Sequence, residues 1–355
     1  MKLLIAGGGT GGHLFPGIAI AEELLSRDSS HQVLFAGTQK GLEALIVPKR
    51  GYPVQFISIS GFSGKRFYEK LKMFFLIPIS FVQSFFILKK FKPDVVLGVG
   101  GYASFPILFV AFFLRIKKKA IQEQNFKPGL ANSILSYLVD TIFVSFEATQ
   151  AFFPPEKVLV TGNPVRKFKM KEIPSNKKFT IFILGGSQGS HSLNRALLEA
   201  LPYLEPIKNE IHLIHQTGKK DHLWVTTTYF DHHWEVGEAE IYDFIEDMDE
   251  MYSRADFIVC RAGASTVSEV ALLGKAVLFV PFLFAAHNHQ EENAKLLEKE
   301  GAARLLLDWQ LNGSIVAKEI QYAFEHPREL EEMRKKILPF SRPYATQTIV
   351  DELLR

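Results

Sequence analysis

Two glycine-rich stretches that each end in a histidine contain the residues best suited to phosphate chemistry in this sequence. Residues 7–13 read GGGTGGH and residues 185–191 read GGSQGSH. Each follows an apolar run and precedes a helical pattern, so each is predicted to be a turn between a strand and a helix. Such a turn places backbone N–H groups at a helix N-terminus, where the helix dipole favours an anion. Glycine turns also occur as simple connections, but further ones at residues 98–101 and at Gly263 favour phosphate binding.

The first stretch also matches G-x-G-x-x-G, the fingerprint of dinucleotide-binding folds, through Gly7, Gly9 and Gly12. NAD binding requires in addition an acidic side chain at the end of the second strand, which holds the ribose hydroxyls. That predicted strand ends in Gly37 followed by Thr38, where the acid should be. The missing acid argues against an NAD-dependent dehydrogenase.

A carboxylate that could hold a ribose instead lies at Glu269. Residues 260–274, CRAGASTVSEVALLG, predict a strand end, a turn at Gly263 and a helix that begins near Ser265 or Thr266. Glu269 is then expected in the first turn of that helix, beside N–H groups that could bind a phosphate. The alternative is a glutamate that only caps the helix.

Short apolar strands alternate with longer helical patterns along the chain, which predicts an α/β fold with parallel sheets. The pattern restarts near residue 179, and two Rossmann-like, doubly wound domains are therefore expected. We expect the first domain to span residues 1–164 and the second residues 165–339, with a C-terminal helix at residues 340–355 that packs back on the first. The predicted strands lie in residues 2–6, 32–37, 94–101, 120–125, 141–146, 157–164, 179–186, 210–218, 241–248, 255–263 and 275–282. Pro16 suits the first turn of the first helix.

Composition excludes several other classes of protein. The 355 residues are 47% hydrophobic, enough for a large core, and the net charge of +3 is too small to indicate nucleic-acid binding. A single cysteine excludes a disulfide framework and suits a reducing compartment. The first apolar run stops at Gly7, too early for the core of a signal peptide.

A series of motifs in order along nearly the whole chain resembles the MurG family of bacterial transferases, glycosyltransferase family 28. The motifs are GGGTGGHLFPG (residues 7–17), GVGGYAS (98–104), QEQN (122–125), GNPVR (162–166), GGSQGS (185–190), DFIEDM (243–248), CRAGASTVSE (260–269), VPF (280–282) and HQEENA (289–294). The resemblance implies the GT-B fold, in which two domains face each other across a cleft. It also implies a UDP-GlcNAc-dependent hexosyltransferase that moves N-acetylglucosamine (GlcNAc) to the C4 hydroxyl of MurNAc in lipid I. The anomeric centre inverts, and lipid II and UDP are the products of this step in peptidoglycan synthesis.

The resemblance implies a set of donor contacts, mainly in the second half. Ser187 and Arg166 would face the diphosphate, and Phe244 and Ile245 would frame the uracil, with backbone hydrogen bonds from Ile245. Glu269 would hold the ribose hydroxyls and Gln290 the GlcNAc hydroxyls, although Asn288 stands where relatives often have an acid. The full set is Thr10, Gly11, Gly12, Asn125, Arg166, Ser187, Phe244, Ile245, Ala264, Ser265, Thr266, Val267, Ser268, Glu269 and Gln290.

Catalytic roles are expected for His13, Asn125 and Glu269. Inverting transfer needs a base for the acceptor hydroxyl, and a histidine at a helix start suits proton transfer near neutral pH. The alternative is that His13 only hydrogen-bonds the acceptor or the loop. The glycine loops would cradle the acceptor diphosphate through Gly8, Gly9, Gly100, Gly101 and Tyr102. His191 is expected to be structural or a minor phosphate contact.

Residues 247–249, DMD, match the D-x-D of metal-dependent transferases, but they stand in the acidic run EDMDE. A solvated helix start is the preferred interpretation. We expect no obligatory metal or cofactor, because Arg166 and the helix N-termini after Gly186 and Gly263 would stabilise the leaving diphosphate.

Two apolar stretches, residues 74–88 and 105–114, are shorter than the ~20 residues that span a bilayer, and cations follow each of them. The second is expected to be a buried helix with a basic end. The first predicts a patch that dips into an anionic membrane surface, formed by Phe74, Phe75, Phe81, Phe85 and Phe86. We therefore expect a peripheral protein on the cytoplasmic face of the bacterial inner membrane. Cell-wall and division proteins are further expected partners.

Two alternatives remain open at this point. One is another GT-B enzyme with a lipid acceptor, such as a diacylglycerol glucosyltransferase. The other is a nucleotide-binding protein without catalysis, against which the presence of His13, Asn125, Arg166 and Glu269 argues.

Overall fold

The chain folds into two units, each built around one parallel sheet. A computed structural model describes residues 1–59, 67–173, 178–186, 188–235, 237–283 and 288–355, with only the backbone described for residues 67–75. Unit 1 comprises Met1–Arg166 and Arg342–Arg355, and unit 2 comprises Lys167–Ser341. The expected boundaries, after residues 164 and 339, each lie two residues before those observed.

Unit 1 contains a sheet of seven parallel strands in the order β3-β2-β1-β4-β5-β6-β7. The strands are β1 (Lys2–Ala6), β2 (Gln32–Gly37), β3 (Val54–Phe56), β4 (Val95–Gly98), β5 (Lys118–Glu123), β6 (Thr141–Val144) and β7 (Val158–Val160). The central strands read as continuous apolar runs because helices cover both faces of the sheet; Leu3, Leu4 and Ile5 are at most 1% exposed.

Unit 2 contains a sheet of six parallel strands in the order β10-β9-β8-β11-β12-β13. The strands are β8 (Phe179–Leu184), β9 (Ile211–Gln216), β10 (Ala239–Tyr242), β11 (Phe257–Cys260), β12 (Ala276–Phe279) and β13 (Arg304–Leu305). Both sheets reverse direction of winding at one point, so the prediction of two Rossmann-like, doubly wound halves is confirmed.

Helices connect the strands in both units. They are α1 (Gly11–Arg27), α2 (Glu43–Lys49), α3 (Phe67–Phe91), α4 (Ser104–Phe113), α5 (Leu130–Leu135), α6 (His191–Leu204), α7 (His222–Asp231), α8 (Met248–Arg254), α9 (Ala264–Leu272), α10 (His289–Lys299), α11 (Gly313–Glu325), α12 (Pro327–Ile337) and α13 (Ala345–Leu354). Short 3-10 helices lie at Glu147–Phe152, Pro155–Lys157, Glu205–Ile207, Asp308–Gln310 and Leu338–Phe340. The last helix, α13, packs Ile349, Val350 and Leu353 into the core of unit 1.

Two helices begin earlier than the sequence pattern predicts. Thr10 is the last extended residue before α1, so the helix starts at Gly11 and Pro16 lies in its second turn rather than its first. Extended Gly263 likewise starts α9 at Ala264, which puts Glu269 in the second turn, and the first-turn prediction for Glu269 is wrong. Several predicted strands are also shorter than expected. Only Ile241 and Tyr242 of residues 241–248 belong to β10, and only Val158–Val160 of residues 157–164 form β7.

The winding reverses between β1 and β4 in unit 1 and between β8 and β11 in unit 2. At such a switch point, the loops that leave the two strands diverge and open a crevice at the carboxyl edge of the sheet. The four loops concerned are the glycine-rich stretches singled out by the sequence, after Ala6, Gly98, Leu184 and Cys260. Each unit therefore brings two of the predicted motifs together.

Candidate active site

The two glycine loops of unit 1 pack directly against each other. A Cβ on Gly7 would lie 2.5 Å from the Gly100 carbonyl oxygen, and a Cβ on Gly101 would lie 2.5 Å from that of Gly8. Gly7, Gly100 and Gly101 also have φ angles of 149°, 88° and 78°, which side chains disfavour. Glycine is needed at these positions because the two backbones touch.

His13 lies in the first turn of α1, half-buried against this pair of loops. A Cβ on Gly100 would lie 2.6 Å from Nδ1 of His13, so the imidazole packs directly against the backbone of Gly100. Nδ1 is 3.0 Å from Oε1 of Gln124, a buried residue just after β5. The ring is thus held on one edge by a side chain that the sequence did not single out.

Asn125, the next residue, is held by the buried carboxylate of Glu123. Oε1 of Glu123 accepts hydrogen bonds from the backbone N–H of Asn125 at 3.0 Å and from its Nδ2 at 3.2 Å. Oε2 accepts from Gly129 N and from Nδ2 of Asn132, at 3.1 and 2.9 Å. The QEQN motif therefore supplies both a candidate site residue and the carboxylate that orients it.

Glu43 at the start of α2 was missed by sequence reasoning. Its carboxylate is 1% exposed and accepts hydrogen bonds from Gly9 N at 2.7 Å, from Thr38 N at 2.7 Å and from the Thr38 hydroxyl at 2.9 Å. It is an acid near the end of β2, but it faces the glycine loop from within the protein. An acceptor phosphate that used the Gly9 amide would have to replace this carboxylate.

The other predicted residues of these loops face outward to different degrees. Thr10 and Gly9 are exposed, Gly11 and Gly12 are half-buried, and the Tyr102 side chain is 49% exposed. The Thr10 side chain makes no capping hydrogen bond to α1. Their roles toward donor and acceptor stay predictions.

In unit 2, Arg261 ties the second glycine loop to the sheet. It is 6% exposed, and its guanidinium donates to the Ser190 hydroxyl at 2.9 and 2.7 Å and to the Ser192 hydroxyl at 2.6 Å. Burial lowers the pKa of Arg261, while its 2.6 Å ion pair with Asp308 opposes that effect. The sequence CRAG indicated a glycine turn at Gly263, but the role of Arg261 was not predicted from it. Ser187, the predicted diphosphate contact, lies outside the described residues.

Gln216, buried at the end of β9, joins the same loop to the predicted uracil segment. Its Nε2 donates to the Gly186 carbonyl at 2.9 Å, and its Oε1 accepts from the Ile245 N–H at 2.9 Å. The Ile245 N–H is therefore already engaged, so of the backbone hydrogen bonds to uracil that were expected from Ile245, only one to its carbonyl oxygen stays a prediction. Phe244 is 41% exposed and Ile245 is 5% exposed.

Glu269 is held by a tyrosine from the preceding helix. The Tyr252 hydroxyl donates to Oε2 of Glu269 at 2.8 Å, and the Tyr252 ring is fully buried against Phe182. In α9, the helix that carries Glu269, the side chains of Ala264 and Val267 are buried, while Ser265, Thr266 and Ser268 are partly exposed. The Ser268 hydroxyl donates to the Ala264 carbonyl at 2.9 Å.

Two further predicted donor contacts are Arg166, at the boundary of unit 1, and Gln290, in the first turn of α10. Arg166 is half-buried and is the last residue of the first segment of unit 1. Oε1 of Gln290 accepts from the Phe282 N–H at 3.0 Å, and Asn288 before it has a φ of 55°. The roles of Arg166 and Gln290 stay predictions.

The D-x-D sequence forms a helix start, as its acidic context indicates. Asp247 caps α8 by accepting from Glu250 N at 3.1 Å, and it pairs with Lys171 at 2.7 Å. The bond to Lys171 lowers the pKa of Asp247. Asp249 accepts from the Lys169 N–H at 2.9 Å. Within the described ranges, no three His, Cys, Asp or Glu side chains are grouped so that they could hold a metal ion.

The two loop histidines have different surroundings. The His191 side chain is 68% exposed and lies 3.0 Å from Asp221, and its ring contacts the Trp224 ring at 5.1 Å between centroids with the planes tilted by 33°. His13 is half-buried and contacts an uncharged amide. The repeated motif therefore does not create two equivalent sites.

An exposed apolar surface on unit 1 is formed by α3 and α4. Ser80, Ser84 and Leu88 of α3 face inward. Phe81 packs on Phe105 and Phe109 of α4. We name the exposed side chains the aromatic surface; they are Ile79, Val82, Phe85, Phe86, Phe112 and Phe113.

The structure corrects two expectations about this surface. Phe81 of the predicted patch is partly buried between helices, because α4 packs there, and the side chains of Phe74 and Phe75 lie outside the described residues. The second stretch, expected to be buried, adds Phe112 and Phe113, which are 40% and 67% exposed. Of the helices that the structure describes, none is both long and apolar enough to cross a membrane.

Family models cover both units of the chain. Residues 3–144 match the glycosyltransferase family 28 N-terminal domain, and residues 180–348 match the glycosyltransferase family 28 C-terminal domain.

Similar proteins align over the whole chain. One is the UDP-N-acetylglucosamine–N-acetylmuramyl-(pentapeptide) pyrophosphoryl-undecaprenol N-acetylglucosamine transferase of Thermodesulfovibrio yellowstonii, 45% identical over 99% of this chain and 97% of the relative. The transferase of the same name from Myxococcus xanthus is 43% identical over 99% and 92%. The crystal structure of Acinetobacter baumannii MurG superposes with a TM-score of 0.78 and 30% identity, covering 99% of each chain. The GT-B fold expected from the sequence is confirmed by this match.

Proposed function

The chain belongs to the MurG family within glycosyltransferase family 28, and we propose that it transfers GlcNAc from UDP-GlcNAc to lipid I. The acceptor group is the C4 hydroxyl of MurNAc in undecaprenyl-pyrophosphoryl-MurNAc-pentapeptide, and the products are lipid II and UDP. The observation that carries this proposal is the histidine of unit 1, held at a helix start against two glycine loops. As the base, His13 would act where a diphosphate and a hydroxyl could both approach.

In the proposed reaction, His13 accepts the proton of the C4 hydroxyl. The C4 oxygen attacks the anomeric carbon of GlcNAc, the bond from that carbon to the β-phosphate oxygen breaks, and UDP leaves with the electron pair. Attack from the face opposite UDP inverts the anomeric centre. The proton passes from His13 to solvent before the next turnover.

Unit 2 is proposed to bind the donor. Glu269, oriented by Tyr252, would accept hydrogen bonds from the ribose hydroxyls, since an ionised carboxylate only accepts. The exposed ring of Phe244 would cover the uracil. The N-termini of α6 and α9, together with Ser187, would stabilise the charge on the leaving diphosphate, so the proposed reaction needs no metal.

Unit 1 is proposed to bind the acceptor and the membrane. In the first glycine loop, Gly9 is exposed and a Cβ on it would meet no atom within 4 Å, so a diphosphate could approach the loop at this point. The aromatic surface lies beside exposed Lys89, Lys90 and Lys92, a combination that suits an anionic membrane. We infer a peripheral position at the cytoplasmic face of the inner membrane, where a polyprenyl-linked acceptor is available.

A transfer assay with competing acceptors tests this proposal. Radiolabelled UDP-GlcNAc is incubated with the protein and either a lipid I analogue or diacylglycerol, and the lipid product is isolated. We expect label only in the lipid I product, with a β-linked GlcNAc by NMR. Label in diacylglycerol instead would make the chain a different lipid glycosyltransferase. No transfer to either lipid, despite UDP binding, would favour a non-catalytic protein.

A further inference from the structure

The side-chain amide of Gln124 has only one orientation compatible with its surroundings. Its nitrogen lies 2.8 Å from the Val99 carbonyl oxygen and 3.4 Å from the Gln122 carbonyl oxygen. Backbone carbonyl oxygens can only accept hydrogen bonds, so the NH₂ group must face them. Exchange of the amide nitrogen and oxygen would set an acceptor against two acceptors in a site that is 1% exposed. The amide oxygen therefore faces the other way, toward His13.

A second amide confirms this orientation from the opposite end. Oε1 of Gln122 contacts Nε2 of Gln124, and Nε2 of Gln122 lies 3.3 Å from the Ser145 hydroxyl. That hydroxyl donates its only proton to the Glu123 carbonyl at 2.9 Å, so it can only accept from Gln122. Both ends of the chain of hydrogen bonds are thus fixed by backbone carbonyls.

We infer that Gln124 is a positioning residue that holds the imidazole of His13 with its proton on Nδ1. Oε1 of Gln124 lies 3.0 Å from Nδ1 and has no proton to give, so Nδ1 must donate. In the neutral ring, Nε2 is then the unprotonated nitrogen. Since the imidazolium also donates from Nδ1, Gln124 does not need to move when Nε2 gains or loses a proton. One further step rests on the proposed function: Nε2 is the atom that takes the proton of the C4 hydroxyl.

The tautomer can be observed without any activity. Long-range ¹H–¹⁵N correlation spectra of histidine-labelled full-length protein distinguish protonated from unprotonated ring nitrogens. The His13 signals among the 11 histidines are assigned as those that the His13→Gln variant loses. His215 serves as an internal reference of opposite tautomer, because its Nε2 donates to Oδ1 of Asn194 at 3.0 Å. We expect neutral His13 to show a protonated Nδ1 and an unprotonated Nε2, and a protonated Nε2 would overturn the inference.

The Gln124→Met variant tests the consequence for catalysis. Methionine has a similar length but offers no comparable acceptor, so the ring should populate the other tautomer. We expect kcat for GlcNAc transfer to fall roughly 10- to 100-fold, less than for loss of the base itself, with KM for UDP-GlcNAc within about twofold. Gln321→Met, which removes a bond to the Tyr203 carbonyl in unit 2, is the matched control and should keep the wild-type kcat.

An unchanged His13 tautomer and unchanged kcat in Gln124→Met would overturn the positioning role. If Gln124→Met does not fold, the wild-type spectrum still decides the tautomer. If the wild-type protein transfers no GlcNAc to lipid I, the proposed function fails, while the spectrum still tests what Gln124 does to His13.

Discussion

At the scale of single residues, buried polar side chains fix the loops that are proposed to bind substrate. Glu43 binds Gly9 across 34 positions of sequence, Gln124 contacts His13 across 111, and Arg261 binds Ser190 across 71. Local patterns predict the glycines and His13, because turns and helix starts are decided by neighbouring residues. No local pattern predicts Glu43, Gln124 or Arg261, because their partners are brought together only by the folded sheets.

Glu43→Gln should loosen the first glycine loop. The carboxylate accepts three hydrogen bonds, and the variant would turn an NH₂ group toward one of the N–H donors. Hydrogen bonds to charged groups contribute about 1.5–3 kcal/mol, so local opening should become roughly 10- to 100-fold more frequent. Hydrogen–deuterium exchange of a peptide that contains Gly9 measures this, and we expect faster exchange in the variant.

Glu22→Gln is the control for that experiment. Glu22 pairs with Arg50 at 3.2 Å on the surface, where an ion pair contributes about 0–1 kcal/mol. Exchange at Gly9 should match the wild type in Glu22→Gln. Equal exchange in Glu43→Gln and the wild type would show that the carboxylate does not hold the loop.

At the scale of elements, most strands were located because a buried parallel strand is a continuous apolar run, but the short strands β3 and β13 at the sheet edges were not predicted. The helix starts were predicted less well. Pro16 and Ser265 are typical of first turns, but the last extended residues, Thr10 and Gly263, decide where α1 and α9 begin. The exposed rings of α4 were missed for a similar reason, since an apolar run does not reveal which face α3 covers.

Replacing two rings of the aromatic surface should weaken membrane binding. Phe86 and Phe113 are 66% and 67% exposed, on α3 and α4 respectively. Burying one such side chain contributes about 1.5–3 kcal/mol, so the double variant Phe86→Ser/Phe113→Ser should bind anionic vesicles at least about tenfold more weakly. Co-sedimentation with phosphatidylglycerol vesicles at fixed salt measures this.

The double variant Leu223→Ser/Phe230→Ser controls for the loss of exposed apolar side chains in general. These residues of α7 in unit 2 are 80% and 76% exposed. Vesicle binding should persist in this control. A correctly folded Phe86→Ser/Phe113→Ser protein with undiminished binding would rule out the aromatic surface as the membrane contact.

At the scale of the whole molecule, the two units can be followed separately. The three tryptophans, Trp224, Trp234 and Trp309, all lie in unit 2. Tryptophan fluorescence therefore reports unfolding of unit 2, whereas circular dichroism reports both units. This separation makes the stability of unit 2 measurable in the full-length protein.

Acid should destabilise unit 2 through His215. Burial lowers the pKa of His215 to about 3, so the folded state keeps it neutral, while the unfolded chain binds a proton below about pH 6.5. The unfolded state binds more protons between these values, so stability falls as pH decreases through this range. His215→Gln should lessen that fall in urea unfolding followed by tryptophan fluorescence between about pH 7 and pH 4.5.

His232→Gln is the comparison, because His232 is exposed at the end of α7. It should keep the wild-type dependence of stability on pH. An equally steep dependence in His215→Gln would mean that other groups cause the acid sensitivity.

The central claim, that unit 1 supplies the base for GlcNAc transfer, is tested most directly by comparing the two loop histidines. Single-turnover transfer of labelled GlcNAc to a lipid I analogue is measured with His13→Gln and His191→Gln at saturating UDP-GlcNAc. Loss of a general base reduces the rate roughly 10²- to 10⁴-fold, which we predict for His13→Gln, while His191→Gln keeps most of the wild-type rate. A His13→Gln rate within a few-fold of the wild type would contradict the account.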